Sequence, residues 1–249
     1  LNSEQAEILG SPGDGDHAST TELVPSIVDP DVIWASTTCR WCESASPLDI
    51  SYVDKLVEMR RNLVLEKAEF PEEAQPAFRG YEVNGNPWQL PAEERGNWAS
   101  DLGLPLASEA GGDFEYLFFV GSPGSYDDHG KKVSQALAKI LKAAGVKIAI
   151  LGPEELSTGD AARRLGNEYL FQMLAAQNVE TMNGYGVKKI VTACPHCYHT
   201  IKNEYPQFGG NYEVFHHTEF IQDLIRQGKI RLDRKGNGQR HEARHRQTN

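Results

Sequence analysis

Lys188-Lys189-Ile190-Val191-Thr192-Ala193-Cys194-Pro195-His196-Cys197 decides how this 249-residue chain is read. A short apolar run reads as a buried strand giving way to a helix, and the turn between them presents two thiols. Such a pair can bind one metal centre or close one disulfide. Alone it is a weak signal, and its weight depends on what surrounds it.

The same rhythm extends to both sides. Phe114-Glu115-Tyr116-Leu117-Phe118-Phe119-Val120-Gly121 reads as a strand, Lys131 to Ala144 as a helix, Lys147 to Gly152 as a second strand and Ala161 to Gln177 as a second helix. Lys188 to Thr192 is the third strand, Tyr212 to His216 the fourth, and Thr218 to Gln227 the last helix. Four alternations predict an α/β domain over residues 111–232 with a mainly parallel four-stranded sheet between helical layers. In such sheets the crevice lies outside the carboxyl ends of the strands. Those ends carry Ser122, Ser157, Cys194 with Cys197, and His216-His217, so four junctions aim at one rim.

Upstream, residues 31–110 read as a small, mostly helical module. Clusters of the [4Fe–4S] type are commonly held by C-x2-C-x2-C-x3-C-P. Here the four places read Ser36, Cys39, Cys42 and Ser46, followed by Pro47. An amphipathic helix is expected from Tyr52 to Glu66, with Arg60-Arg61 on its solvated face. Between Phe70 and Ala110, prolines 71, 76, 87, 91 and 105 predict an irregular segment wrapping the cluster module. Residues 1–30 read as a flexible acidic leader and 233–249 as a disordered basic tail.

Composition narrows the function classes. A net charge of −10, with no Lys or Arg before Arg40, argues against a nucleic-acid surface. No apolar run reaches the ~20 residues that span a bilayer, and the amino end lacks the pattern of a secretory signal. The expected location is therefore the cytoplasm. The four cysteines form two C-x-x-C pairs, which favours metal or redox chemistry over a disulfide framework. Asp127-Asp128 and Asp160 lie in the first two βα turns and read as helix-starting caps rather than acid–base catalysts.

With both cysteine regions placed, the chain resembles the iron–sulfur proteins that carry a ferredoxin-type module followed by Cys-rich CCG domains. These include heterodisulfide reductase B and D types and the iron–sulfur components of glycolate oxidase and anaerobic glycerol-3-phosphate dehydrogenase. The likeness is strongest to membrane-associated reductases that take electrons from electron-transfer flavoprotein. It rests on Thr37-Thr38-Cys39-Arg40, Asp54-Lys55, Arg60-Arg61, Gly85-Asn86-Pro87-Trp88, Thr158-Gly159-Asp160, Gly166-Asn167-Glu168-Tyr169, Cys194-Pro195-His196-Cys197 and Asn203-Glu204-Tyr205-Pro206. The resemblance implies an electron-transfer module that relays electrons between a flavoprotein donor and a quinone or disulfide acceptor, with a membrane-bound partner or membrane domain alongside. It also implies [4Fe–4S] clusters, with ligand positions at Ser36, Cys39, Cys42 and Ser46 and at Ser122, Ser157, Cys194 and Cys197. Each site thus has two sulfurs and two serines. Serine is a hard, weakly acidic ligand where soft iron–sulfur chemistry prefers thiolate, so the chain is expected to hold clusters poorly or not at all. Two alternatives follow. One is a zinc or structural site in which Cys194 and Cys197 are joined by His196, His199, His216 or His217. The other is a dithiol that cycles between Cys194 and Cys197.

Overall fold

A computed structural model describes residues 22–231. Of the leader expected over residues 1–30, residues 1–21 fall outside that range, as does the tail expected from 233; the rest of the leader lies inside it, with Val24 buried against Ile33 and Leu63. The first described helix is α1 (Pro30–Trp34), where Asp29 caps the amino end by accepting the Asp31 N–H at 2.8 Å. Next come α2 (Trp41–Ser44) and α3 (Val53–Arg61), which runs on into a wider turn at Asn62–Glu66. After them α4 (Ala74–Asn84) and a 3-10 segment (Ala92–Leu102) occupy the Pro-interrupted stretch.

The alternating half contains β1 (Tyr116–Phe118), α5 (Gly121–Tyr126), α6 (Asp128–Ala143), β2 (Ile148–Ala149), α7 (Asp160–Arg164) and α8 (Glu168–Gly184). It closes with β3 (Lys189–Thr192), α9 (Pro195–Asn203), β4 (Glu213–His216) and α10 (His217–Arg226). The sheet is four-stranded in the order β2-β1-β3-β4, and every pairing is parallel. This is the α/β sheet that the sequence predicts. Successive strand residues face opposite sides. Leu117, Phe119 and Ile190 pack against α8 and α9, while Phe118, Val120 and Val191 pack against α6 and α10, giving three layers. Asp127 caps α6 by accepting the Gly130 N–H at 2.7 Å, as expected of its position.

Three expectations change. The single helix predicted from Ala161 to Gln177 is two, α7 and α8, separated at Gly166 with φ +89°. A side chain there would approach the Arg60 carbonyl carbon to 2.5 Å, so this glycine permits the close contact between α3 and the α/β half. The stretch from Phe70 to Ala110 does not simply wrap the cluster module. Pro76 falls in the first turn of α4, where a missing N–H costs nothing, and the helix packs Phe78 and Tyr81 against Leu170 and Leu174 of α8. Trp98 lies in the core beside Phe118, with ring centroids 5.6 Å apart. Finally, Arg60 is not on a solvated face. It is 3 % exposed, and its guanidinium donates to the carbonyls of Ile33, Ser36 and Arg164 at 2.7, 2.7 and 2.9 Å.

Candidate functional site

The carboxyl ends of the strands converge as the topology requires. Ser122 on the first turn of α5, Ser157 in the loop before α7, and Cys194 and Cys197 at the start of α9 line one cavity of about 240 Å³, together with Tyr81, Pro87, Trp88, Asp160 and His196. The loop bearing Ser157 is fixed from several sides. Its N–H donates to the Gly85 carbonyl at 2.8 Å, and Asn178 Nδ2 donates to the Ser157 carbonyl at 3.1 Å. Asn86, fully buried, accepts the N–H groups of Trp88 and Leu90 at 3.1 Å each, which turns Pro87 and Trp88 toward the cavity.

Cys194 is the N-cap of α9, and its Sγ accepts the Cys197 N–H at 3.4 Å. A hydrogen bond from the Cys197 thiol, seconded by backbone N–H groups of Cys197 and His196 and opposed by burial, brings the Cys194 thiol down to about 6. Cys197 is buried and moves the other way, raised first by sharing its proton with Cys194 and then by desolvation. Carbamidomethylation of Cys194 in the metal-free protein should therefore rise through about pH 6 and level off below the ~8.5 of an ordinary thiol, because a lowered pKa leaves thiolate above it. A midpoint at 8 or higher would contradict the arrangement.

Beneath the thiols lies an ion pair that no sequence pattern marks. Arg95 and Glu155, with side chains 1 % and 2 % exposed, meet at 3.1 Å. Glu155 accepts the N–H groups of Val120 and Gly121 at 2.9 and 2.8 Å, holding the turn from β1 into α5. Arg95 Nη2 also donates to Ser122 Oγ at 3.2 Å. Sequence reading missed both residues, since an isolated charge among Pro and Gly is usually solvated. It also missed Tyr81, whose hydroxyl burial and the nearby Asp160 charge push up to about 12, and Trp88 as a cavity wall.

The upstream coil is more open. Cys39 and Cys42 are both exposed. Thr38 and Arg40, on either side of Cys39, adopt φ of 56° and 61°, a left-handed conformation that costs energy for non-glycine residues. The Cys39 thiol is lowered, chiefly by the Trp41 backbone N–H. Ser36 Oγ accepts the Thr38 N–H at 3.2 Å, and Ser46 Oγ accepts those of Leu48 and Ile50 at 3.4 and 3.3 Å, so both serines serve as turn formers. Cys39 lines a second depression of about 400 Å³, which shares Asp160 and His196 with the thiol cavity; Ser36, Cys42 and Ser46 do not line it. His196 Nδ1 and Asp160 Oδ2 meet at 2.9 Å on the wall between the two.

His216 ends β4 and His217 starts α10; their rings are tilted by 58° with centroids 4.4 Å apart, and neither lines the thiol cavity. Among the described residues, no three Cys, His, Asp or Glu side chains gather closely enough to hold one metal ion, so the zinc set is not assembled. A thiolate-ligated cluster fares no better. Each site offers two sulfurs where such clusters commonly take four, and the Ser122 oxygen is already engaged by a guanidinium. The residues present do not fit a four-thiolate cluster at either site.

A parallel sheet with thiols at a βα junction and a rim built from further loops defines a Cys-rich α/β domain. The chain carries a cysteine-rich CCG domain, matched over residues 116–202. It is 47 % identical over 213 residues to the EtfAB:quinone oxidoreductase of Syntrophomonas wolfei, covering 84 % of this chain and 30 % of the relative. Identity is also 47 %, over 215 residues, to the probable iron–sulfur-binding oxidoreductase FadF of Bacillus subtilis, with the same coverage of 84 % and 30 %. The D-type polypeptide of the dihydromethanophenazine:CoB–CoM heterodisulfide reductase of Methanosarcina mazei is 30 % identical over 214 residues, covering 83 % of this chain and 50 % of the relative. The chain thus spans about 30 % of the length of the first two. No solved structure matches it. Among the described residues, no helix is long and apolar enough to cross a membrane.

Proposed function

We propose that this chain is the redox-relay segment of a flavoprotein-linked oxidoreductase, passing reducing equivalents from a flavoprotein to a quinone or disulfide acceptor. The observation that carries this reading is the pair of adjoining cavities. One gathers Cys194 and Cys197 at the sheet edge, the other presents Cys39, and Asp160 and His196 form a common wall. Similarity to an EtfAB:quinone oxidoreductase and to part of a heterodisulfide reductase supports the two acceptor classes. A location at the cytoplasmic face of a membrane, beside a membrane-bound partner, belongs to the same reading.

The test is a coupled assay in which reduced electron-transfer flavoprotein is mixed with the chain and a soluble quinone or disulfide. Flavin oxidation that depends on the chain and falls at least tenfold in the Cys194→Ser variant is expected. Flavin oxidation unaffected by the chain would reject the reading. Iron and acid-labile sulfide after anaerobic reconstitution provide a separate check. We expect well under the roughly four irons per site of a filled cluster, and a stable full complement would overturn the reading of the serines.

A further inference from the structure

Resting on the relay reading, the geometry points to its redox group: Cys194 and Cys197 form a two-electron dithiol–disulfide couple that exchanges with a small-molecule disulfide entering the sheet-edge cavity. Five observations converge on this. The two residues are the N-cap and third position of a nine-residue helix, one turn apart on the same face. The Cys197 N–H donates to Cys194 Sγ at 3.4 Å, so the first sulfur lies over the turn that carries the second.

Their exposure is unequal. Cys194 is partly exposed and Cys197 is 5 % exposed, which places an attacking sulfur at the cavity and a resolving sulfur beneath it. Space has also been left beside them. Gly121, at φ +78°, has no side chain where a Cβ would lie 3.1 Å from Cys197 Sγ and 3.8 Å from Cys194 Cβ. The opposite wall, Tyr81, Pro87 and Trp88, offers apolar surface to the incoming molecule.

The step balances without a metal. The Cys194 thiolate attacks one sulfur of R–S–S–R, forming a Cys194–S–S–R mixed disulfide and expelling the first thiolate. Cys197 then gives up its proton and attacks Cys194 Sγ, expelling the second thiolate. Two electrons leave the protein dithiol and one external disulfide becomes two thiols. The two protons lost by the cysteines end on the departing sulfurs.

Glutathione disulfide serves as the probe. The 249-residue chain, metal-free, is equilibrated in glutathione buffers, acid-trapped, alkylated and digested with trypsin. Cleavage after Lys189 and Lys202 isolates both cysteines in one peptide, Ile190–Lys202, apart from Cys39 and Cys42. The expected result is that this peptide resists alkylation and lacks two hydrogens in the oxidised protein. Its oxidised fraction should follow a two-electron Nernst curve, tenfold in the equilibrium ratio per ~30 mV. The Cys197→Ser variant should instead trap glutathione on Cys194.

Two free thiols at large excess of glutathione disulfide, or a mixed disulfide that never closes in the unsubstituted chain, would overturn the couple. No flavoprotein enters this experiment. Failure here with a working flavin-linked assay discards the couple alone, whereas closure here with an inactive assay discards the relay and leaves the couple standing.

Discussion

Replacing Arg95 with methionine is expected to lower the unfolding free energy by about 3–5 kcal/mol. The side chain is 1 % exposed and its partner Glu155 2 %, so the substitution leaves a buried carboxylate without its counter-ion. The cost is that of an uncompensated buried charge rather than of a lost surface contact. Glu155 cannot simply turn away, because it holds the Val120 and Gly121 N–H groups at 2.9 and 2.8 Å. Urea denaturation would measure the loss, and a change under about 1 kcal/mol would mean that the pair is not buried as described. Adding Glu155→Gln to Arg95→Met should recover part of it, since a neutral amide removes the stranded charge. Gly121 borders both thiols, so loosening its turn should also speed alkylation of Cys197 in the single variant.

The second large effect is expected at Arg60. Its alanine variant should lose about 3–5 kcal/mol, because three hydrogen bonds from a cation disappear at once and three carbonyls lose their donor. The Arg60 guanidinium also lies 5.1 Å from the centroid of the Trp34 ring. Arg60→Lys should restore little, since one ammonium cannot reproduce the planar fork that serves Ile33, Ser36 and Arg164 together. The functional consequence is local. The Ser36 carbonyl begins the Cys39 coil, and the Arg164 carbonyl ends the helix that starts at Asp160. Hydrogen exchange across residues 35–45 should accelerate far more than in the sheet. Unchanged protection of that coil would show that Arg60 does not dock it.

The α/β half was legible because its strands are short apolar runs separated by amphipathic helices, a pattern that burial on both faces imposes. Parallel strands joined by helices put every βα turn at one edge, so the convergence of Ser122, Ser157, Cys194 and Cys197 on a single cavity follows from order alone. The segment between Phe70 and Ala110 was less legible. Proline counts suggested a wrap, whereas Pro76 sits harmlessly in a first turn and Trp98 is a core residue. Arg60 looked solvated because a helix pattern records which residues are apolar and not which cation a distant carbonyl requires.

By itself, then, the sequence determined the kinds and order of the elements, the edge at which the site lies, and the donor atoms available there, two sulfurs and two hydroxyls at each site. Only the tertiary structure decided that Arg95 and Glu155, 60 residues apart, neutralise each other under the thiols. It also decided that Arg60 ties the coil to a helix 104 residues away and that the two cysteine regions share a wall at Asp160 and His196. The reason is physical. Periodicity reports how each residue meets its own element's buried face, whereas the partner of a buried charge is set by which loops the packed layers bring together.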